Sequence, residues 1–216
     1  MGRSIKAGMF TVPGQRFGYS VASDIQGALI EAVAKLPLDS YLQQHVFGPL
    51  QMKDTGFYVP KSEQHRLVDM YEHETDSLSE ALVFNKSKIT FAEAGAKSKF
   101  LKKPALLSGG GGLVSTAADY SNFATMLANG GTFGGKTLLS RALVDLMLRS
   151  HTRGLDMSFL PRVYPGAGFG YGIGVMEAAG GTRNPGAFFW AGMGGTLFWV
   201  DPVADVQVIV MMQVED

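Results

Sequence analysis

Phe188-Phe189-Trp190-Ala191-Gly192-Met193-Gly194-Gly195-Thr196-Leu197-Phe198-Trp199-Val200 is the stretch on which the fold turns. Two short runs of aromatic and β-branched residues flank a glycine-rich break. That pattern reads as two strands joined by a tight connection. Val206-Gln207-Val208-Ile209-Val210-Met211-Met212 continues it beyond the Asp201-Pro202 turn. Phe169-Gly170-Tyr171-Gly172-Ile173-Gly174-Val175-Met176 precedes it, before the Asn184-Pro185-Gly186 turn. The spacing is that of consecutive antiparallel strands with short connections.

Upstream the period changes from two to about four. Ile25, Ala28, Leu29, Ala32, Val33 and Leu36 form an i, i+3, i+4 stripe behind Ser23-Asp24, and Pro37 ends it, so a helix is expected over 23–35. A short helix follows from Asp39, with Tyr41, Leu42, Val46 and Phe47, stopped by Gly48-Pro49. Ser115 or Thr116 caps a helix carrying Tyr120, Phe123, Ala124, Leu127 and Ala128, ended by Gly130-Gly131. Ser140 caps another running to Arg149. Helices grouped ahead of a run of strands indicate an α+β fold, with helices packed on an antiparallel sheet. One domain is expected over 1–216. The more charged, weakly patterned 59–104 reads as a surface insertion or a wall of a cleft.

The bulk numbers narrow the function. Nineteen basic residues balance nineteen acidic ones, so no basic excess points to nucleic acid or an anionic membrane. The chain has no cysteine, which excludes thiolate nucleophiles, disulfides and zinc–thiolate sites. His45, His65, His73 and His151 are isolated and show no metal-ligand spacing; no metal or organic cofactor is expected. No apolar run reaches membrane-spanning length. Met1–Phe10 has no apolar segment of signal-peptide length, and Lys6 breaks the myristoylation pattern, so the compartment stays open, cytoplasmic if the chain is made as given.

The chemistry has to be sought in segments. Ser108-Gly109-Gly110-Gly111-Gly112 lacks the Lys-Ser/Thr of a phosphate loop, so close packing of backbone is the better use of its glycines. There is no Gly-x-Ser-x-Gly elbow. Pro13-Gly14-Gln15-Arg16-Phe17-Gly18-Tyr19-Ser20-Val21 runs from a turn into the first helix, which suits Tyr19 to point into a cleft. A phenol keeps its proton near neutral pH, so it serves as a base only where cations or donors stabilise the phenolate. Taken alone, Tyr19 reads better as an ordinary half-buried aromatic with a wet hydroxyl.

Four segments in order change that balance. They are Pro13-Gly14-x-x-Phe17-x-Tyr19-Ser20, Pro49-Leu50-x-Met52-x-Asp54-Thr55-Gly56-Phe57, Ser108–Asp119, and Trp190-Ala191-Gly192-Met193-Gly194-Gly195-Thr196. Together they resemble the serine β-lactamase and penicillin-binding-protein superfamily, most of all its class C-related esterases, across about 13–213. The resemblance implies a β-lactamase/transpeptidase-like fold. It implies that Tyr19 is the base or proton relay and that Trp190-Ala191-Gly192, with Gly194, lines the substrate. It implies that the backbone N–H of Met193 is an oxyanion donor. Val21 stands where class C lactamases carry Asn and Trp190 where they carry Lys, which favours esters over β-lactams. The family's Ser-x-x-Lys nucleophile motif is absent: each serine here has another residue three places on, as Ser4 has Ala7 and Ser20 has Ser23.

The resemblance therefore implies a domain truncated at both ends, without the nucleophile helix and a C-terminal helix. Three readings stand. The chain is the greater part of a serine hydrolase for short-chain esters or, weakly, β-lactams; or a shortened hydrolase using another serine, such as Ser20 or Ser108; or a binding domain that keeps the cleft without the chemistry. Bare apolar faces left by missing helices imply a homo-oligomer that covers them.

Overall fold

The computed structural model describes residues 11–74, 88–155, 165–179 and 183–215. Met1–Phe10, read above for targeting signals, and part of the 59–104 segment lie outside the described residues.

The first helix among the described residues is α1 (Ala22–Ala34), followed by α2 (Leu38–Leu42), which widens into a π-helical turn over Gln43–Phe47. Strands β1 (Met70–Glu74) and β2 (Lys88–Glu93) form a hairpin-like pair. Helix α3 (Ala117–Ala128) precedes the small ribbon β3 (Thr132–Phe133) and β4 (Lys136–Thr137), and α4 (Arg141–Met147) follows. Five strands close the order: β5 (Ala167–Phe169), β6 (Gly174–Met176), β7 (Phe188–Ala191), β8 (Thr196–Asp201) and β9 (Val206–Met211). They lie side by side in chain order, antiparallel throughout. A last strand, β10 (Val214–Glu215), pairs parallel with β1 in a second sheet.

Sheet register decides what each face buries. Phe188 opposes Val200 and Trp190 opposes Phe198, so these four share one face. Phe188, Val200 and Phe198 enter the main core with Leu50, Ala124, Leu127, Val144 and Ile173. Phe188 and Leu50 have no exposed surface, and truncating a phenylalanine at such a site costs about 3–5 kcal/mol. On the opposite face Phe189 opposes Trp199, and the Arg183 guanidinium lies 5.1 and 5.2 Å from their ring centroids. Asp201, at the end of β8, is 3% exposed. It accepts from the Asn184 backbone and side-chain amides and from the Val203 and Ala204 N–H groups, fixing both turns beside it.

Two expected motifs are joined by one buried carboxylate. Thr116 caps α3, its Oγ1 accepting the Asp119 N–H at 3.2 Å. Asp119 Oδ2 then accepts the Asp54 N–H at 2.7 Å and the Thr55 hydroxyl at 2.8 Å. Thr55 Oγ1 also lies 2.8 Å from Ser115 Oγ, and Gly56 bridges Val114. The Pro49–Phe57 segment is thereby sewn to the start of α3.

The first helix departs from expectation. It spans Ala22–Ala34, and Val21 stands at its N-cap without a side-chain bond, in place of Ser23-Asp24. Its apolar stripe does not face the core: Ile25, Leu29 and Val33 are 45%, 63% and 76% exposed. The buried edge is Gly27, where an added Cβ would sit 3.1 Å from Leu38 and 3.4 Å from Gly109. Gly109 in turn faces the Ser23 carbonyl oxygen, which a Cβ there would meet at 2.2 Å. The glycine run is thus a close-approach surface for α1. Periodicity reports that a helix is amphipathic but not what covers its apolar side.

Candidate active site

The N-terminal segment leads into α1 beside the end of β7. Tyr19 is 58% exposed, and its ring centroid lies 5.4 Å from that of Trp190, tilted at 42°. The two residues are 171 positions apart, and the sequence singled out both. Trp190 reaches this point because it is the last large residue on the core-facing side of β7, two places after Phe188.

The turn after β7 is built on glycines for a steric reason. Gly192 N–H donates to Thr196 O at 2.8 Å and Gly195 N–H to Gly192 O at 3.1 Å. A Cβ on Gly192 would meet Thr196 Oγ1 at 2.3 Å, and Gly195 has φ of +76°. Among the described residues neither bond of this turn uses the Met193 N–H, and Met193 is 72% exposed. Ala191 is exposed beside it. The turn also meets the second sheet: Gly194 O accepts the Val214 N–H at 3.1 Å, and a Cβ on Gly194 would be 3.5 Å from Met70 Cε on β1.

Two aromatic residues join this site that sequence reasoning gave no role. Phe17 packs on Phe169 with centroids 4.9 Å apart, and Phe169 packs edge-on to Trp190 at 5.0 Å. Phe17 was visible within the first motif, whereas Phe169 looked like an ordinary strand residue. Nothing local in the sequence signals that they meet.

The serines do not assemble a nucleophile–base pair among the described residues. Ser108 Oγ donates to Asp24 Oδ1, which ties the glycine run to α1. Ser20 is exposed at the entry to the same helix. Ser115 belongs to the Thr55–Asp119 knot. A cavity of about 430 Å³ lies elsewhere, lined by Asp39, Phe47, Asp54, Arg66 and Ser115 among others, and by none of Tyr19, Trp190 or Gly192. Among the described residues no group of three His, Asp or Glu is placed to hold a metal ion, and no helix is long and apolar enough to cross a membrane.

Helices on one antiparallel sheet, with Tyr19 set against the Trp190-Ala191-Gly192 edge, define a β-lactamase/transpeptidase-like hydrolase fold. The family model described as Beta-lactamase matches residues 6–216, and the chain belongs to that family. Protein Rv1367c of Mycobacterium tuberculosis is 32% identical over 210 residues, covering 93% of this chain and 49% of its own length. Esterase EstB of Burkholderia gladioli is 27% identical over 222 residues, covering 97% and 52%. Among solved structures, EstCE1, described as a hydrolase with promiscuous acyltransferase activity, superposes with a TM-score of 0.74 at 27% identity, covering 97% of this chain and 54% of that one. The chain thus spans about half the length of the curated relatives it matches, and those relatives include esterases.

Proposed function

We propose that this chain supplies the Tyr/Trp side of an acyl-transfer site that cleaves short-chain carboxylic esters and, weakly, β-lactams. The observation that carries the reading is the 5.4 Å approach of Tyr19 to Trp190 beside the exposed Gly192–Met193 turn. In this reading a serine oxygen of this chain attacks the ester carbonyl, and Tyr19 takes the serine proton while giving its own to the departing alkoxide; water then releases the acyl group by the same relay. The Met193 N–H donates to the oxygen on which negative charge develops. Trp190, Ala191, Gly192 and Gly194 form the wall along which the ester lies, and the absence of a Cβ at Gly192 lets it lie close. The described part of segment 59–104 supplies a wall of the cleft, a role supported by Met70 lying against Gly194. Esterase relatives favour esters as the substrate. Turnover of p-nitrophenyl acetate and butyrate tests this, with Tyr19→Phe as the control. The expected result is hydrolysis that falls at least a hundredfold in the variant, the range general acid–base groups supply.

A second reading has its own support. No serine is followed by lysine three places on, and the Ser108 hydroxyl is taken up by Asp24. A cleft that binds acyl ligands without turnover fits those facts, and binding indifferent to Tyr19→Phe distinguishes it.

Self-association belongs to the same proposal. The exposed positions of α1 are Ala22, Ile25, Gln26, Leu29, Ala32 and Val33, a seam with no charge. Two copies packed antiparallel about Leu29 set Ile25 opposite Val33. Opposed helix dipoles favour that arrangement. A second copy of this chain is therefore the proposed occupant of the seam.

A further inference from the structure

The rings around Trp190 form one continuous surface drawn from three separate parts of the chain. Phe17 and Tyr19 come from the entry to α1, Phe169 from β5 and Trp190 from β7. Contacts run Phe17 to Phe169 at 4.9 Å, Phe169 to Trp190 at 5.0 Å, and Trp190 to Tyr19 at 5.4 Å. The surface is not sealed as a core cluster is. Phe17, Phe169 and Trp190 are only half-buried and Tyr19 is mostly exposed, whereas Phe188 and Phe189, just before Trp190 on β7, are fully buried. It also ends at a turn whose backbone is stripped of side-chain bulk, at Gly192.

Aromatic rings held edge-on and tilted present both faces and edges to a visitor. A flat apolar group gains more from them than a short alkyl chain, through area and through ring–ring geometry. We infer that Phe17, Phe169, Trp190 and Tyr19 extend the proposed short-chain site to esters whose acyl part is a flat aromatic or fused-ring carboxylic acid, which they favour over a short alkyl chain, and that Phe17 and Phe169 are specificity-determining residues. The flat group lies on the ring surface, and its carboxyl carbon reaches the Gly192–Met193 turn. This inference rests on the proposed reading of that turn as the reacting end of the site, but the ring surface can be tested without any turnover.

The chain has two tryptophans, and Trp199 lies on the other face of the sheet under Arg183. In a Trp199→Phe background, fluorescence reports Trp190 alone. Titration with 2-naphthoate, with acetate and butyrate as short-chain controls, is expected to give saturable quenching by naphthoate only. Phe169→Leu and Phe17→Leu keep apolar bulk but remove a ring, and each is expected to weaken naphthoate about five- to tenfold, equivalent to one lost aromatic contact. Circular dichroism and urea midpoints matching the parent establish that the variants fold. Absent quenching, or equal affinity in both folded leucine variants, overturns the inference. Naphthoate binding in a chain that hydrolyses no ester supports the ring surface and counts against the proposed hydrolysis alone.

Discussion

Asp119 accepts the Thr55 hydroxyl at 2.8 Å across 64 residues of chain, and the same carboxylate oxygen accepts the Asp54 N–H at 2.7 Å. Asp119 is 6% exposed. Asp119→Ala deprives the Asp54 N–H and the Thr55 hydroxyl of this acceptor and is expected to cost about 1–3 kcal/mol. Urea denaturation checks it, and a loss under about 0.5 kcal/mol would mean that the knot does not hold the two segments together.

Asp201 carries the clearest pH dependence. Hydrogen bonds, first from the Asn184 backbone N–H and then from Ala204, the Asn184 side chain and Val203, hold its carboxyl below the usual carboxylate range despite burial. A depressed folded-state value contributes stability that is complete above the unfolded value near 4 and is lost as pH falls towards the folded one. The stability gap between the parent and Asp201→Asn is therefore expected to be wide at pH 6 and to shrink below pH 4. Urea midpoints measured across that range read it, and a gap that widens on acidification would contradict the assignment.

Gly109 is the closest approach between the glycine run and α1. A methyl group there would meet the Ser23 carbonyl oxygen at 2.2 Å, and backbone cannot swing aside as a side chain can. Gly109→Ala is expected to lose about 1–3 kcal/mol, the usual cost of overpacking. Gly111→Ala, where a Cβ meets nothing within 4 Å, provides the matched control with little loss. Equal midpoints for the two variants would show that α1 is not seated on this run.

The α1 seam gives a prediction about association. Leu29 and Val33 are 63% and 76% exposed, so replacing both with lysine removes no core contact. Multi-angle light scattering at micromolar concentration is expected to show a dimer for the parent and a monomer for Leu29→Lys/Val33→Lys. A parent that runs as a monomer would rule the seam out as a self-association surface.

The sequence made the sheet legible because its signals are local. Alternation and the Asn184-Pro185-Gly186 and Asp201-Pro202 turns fix β7 to β9, and Thr116 marks the start of α3. The Phe169–Met176 alternation folds as two strands, β5 and β6, around Gly170–Gly172, where Gly172 has φ of +75°. The widened turn at Gln43–Phe47 has no composition signal of its own. The exposure of the α1 stripe has no local sequence signal, because a 3.6-residue period is the same whether or not a partner covers it. Tyr19 and Trp190 were visible as motif residues, but Phe169 was not, since its place beside them depends on contacts across the whole chain.

The most direct test of the central claim is intact-mass analysis after treatment with a fluorophosphonate, followed by peptide mapping, on the parent and on Tyr19→Phe. A hydrolytic site beside Tyr19 predicts one adduct on a single serine, formed much more slowly in Tyr19→Phe. A folded parent that takes up no label, or labels at the same rate without the Tyr19 hydroxyl, would contradict it.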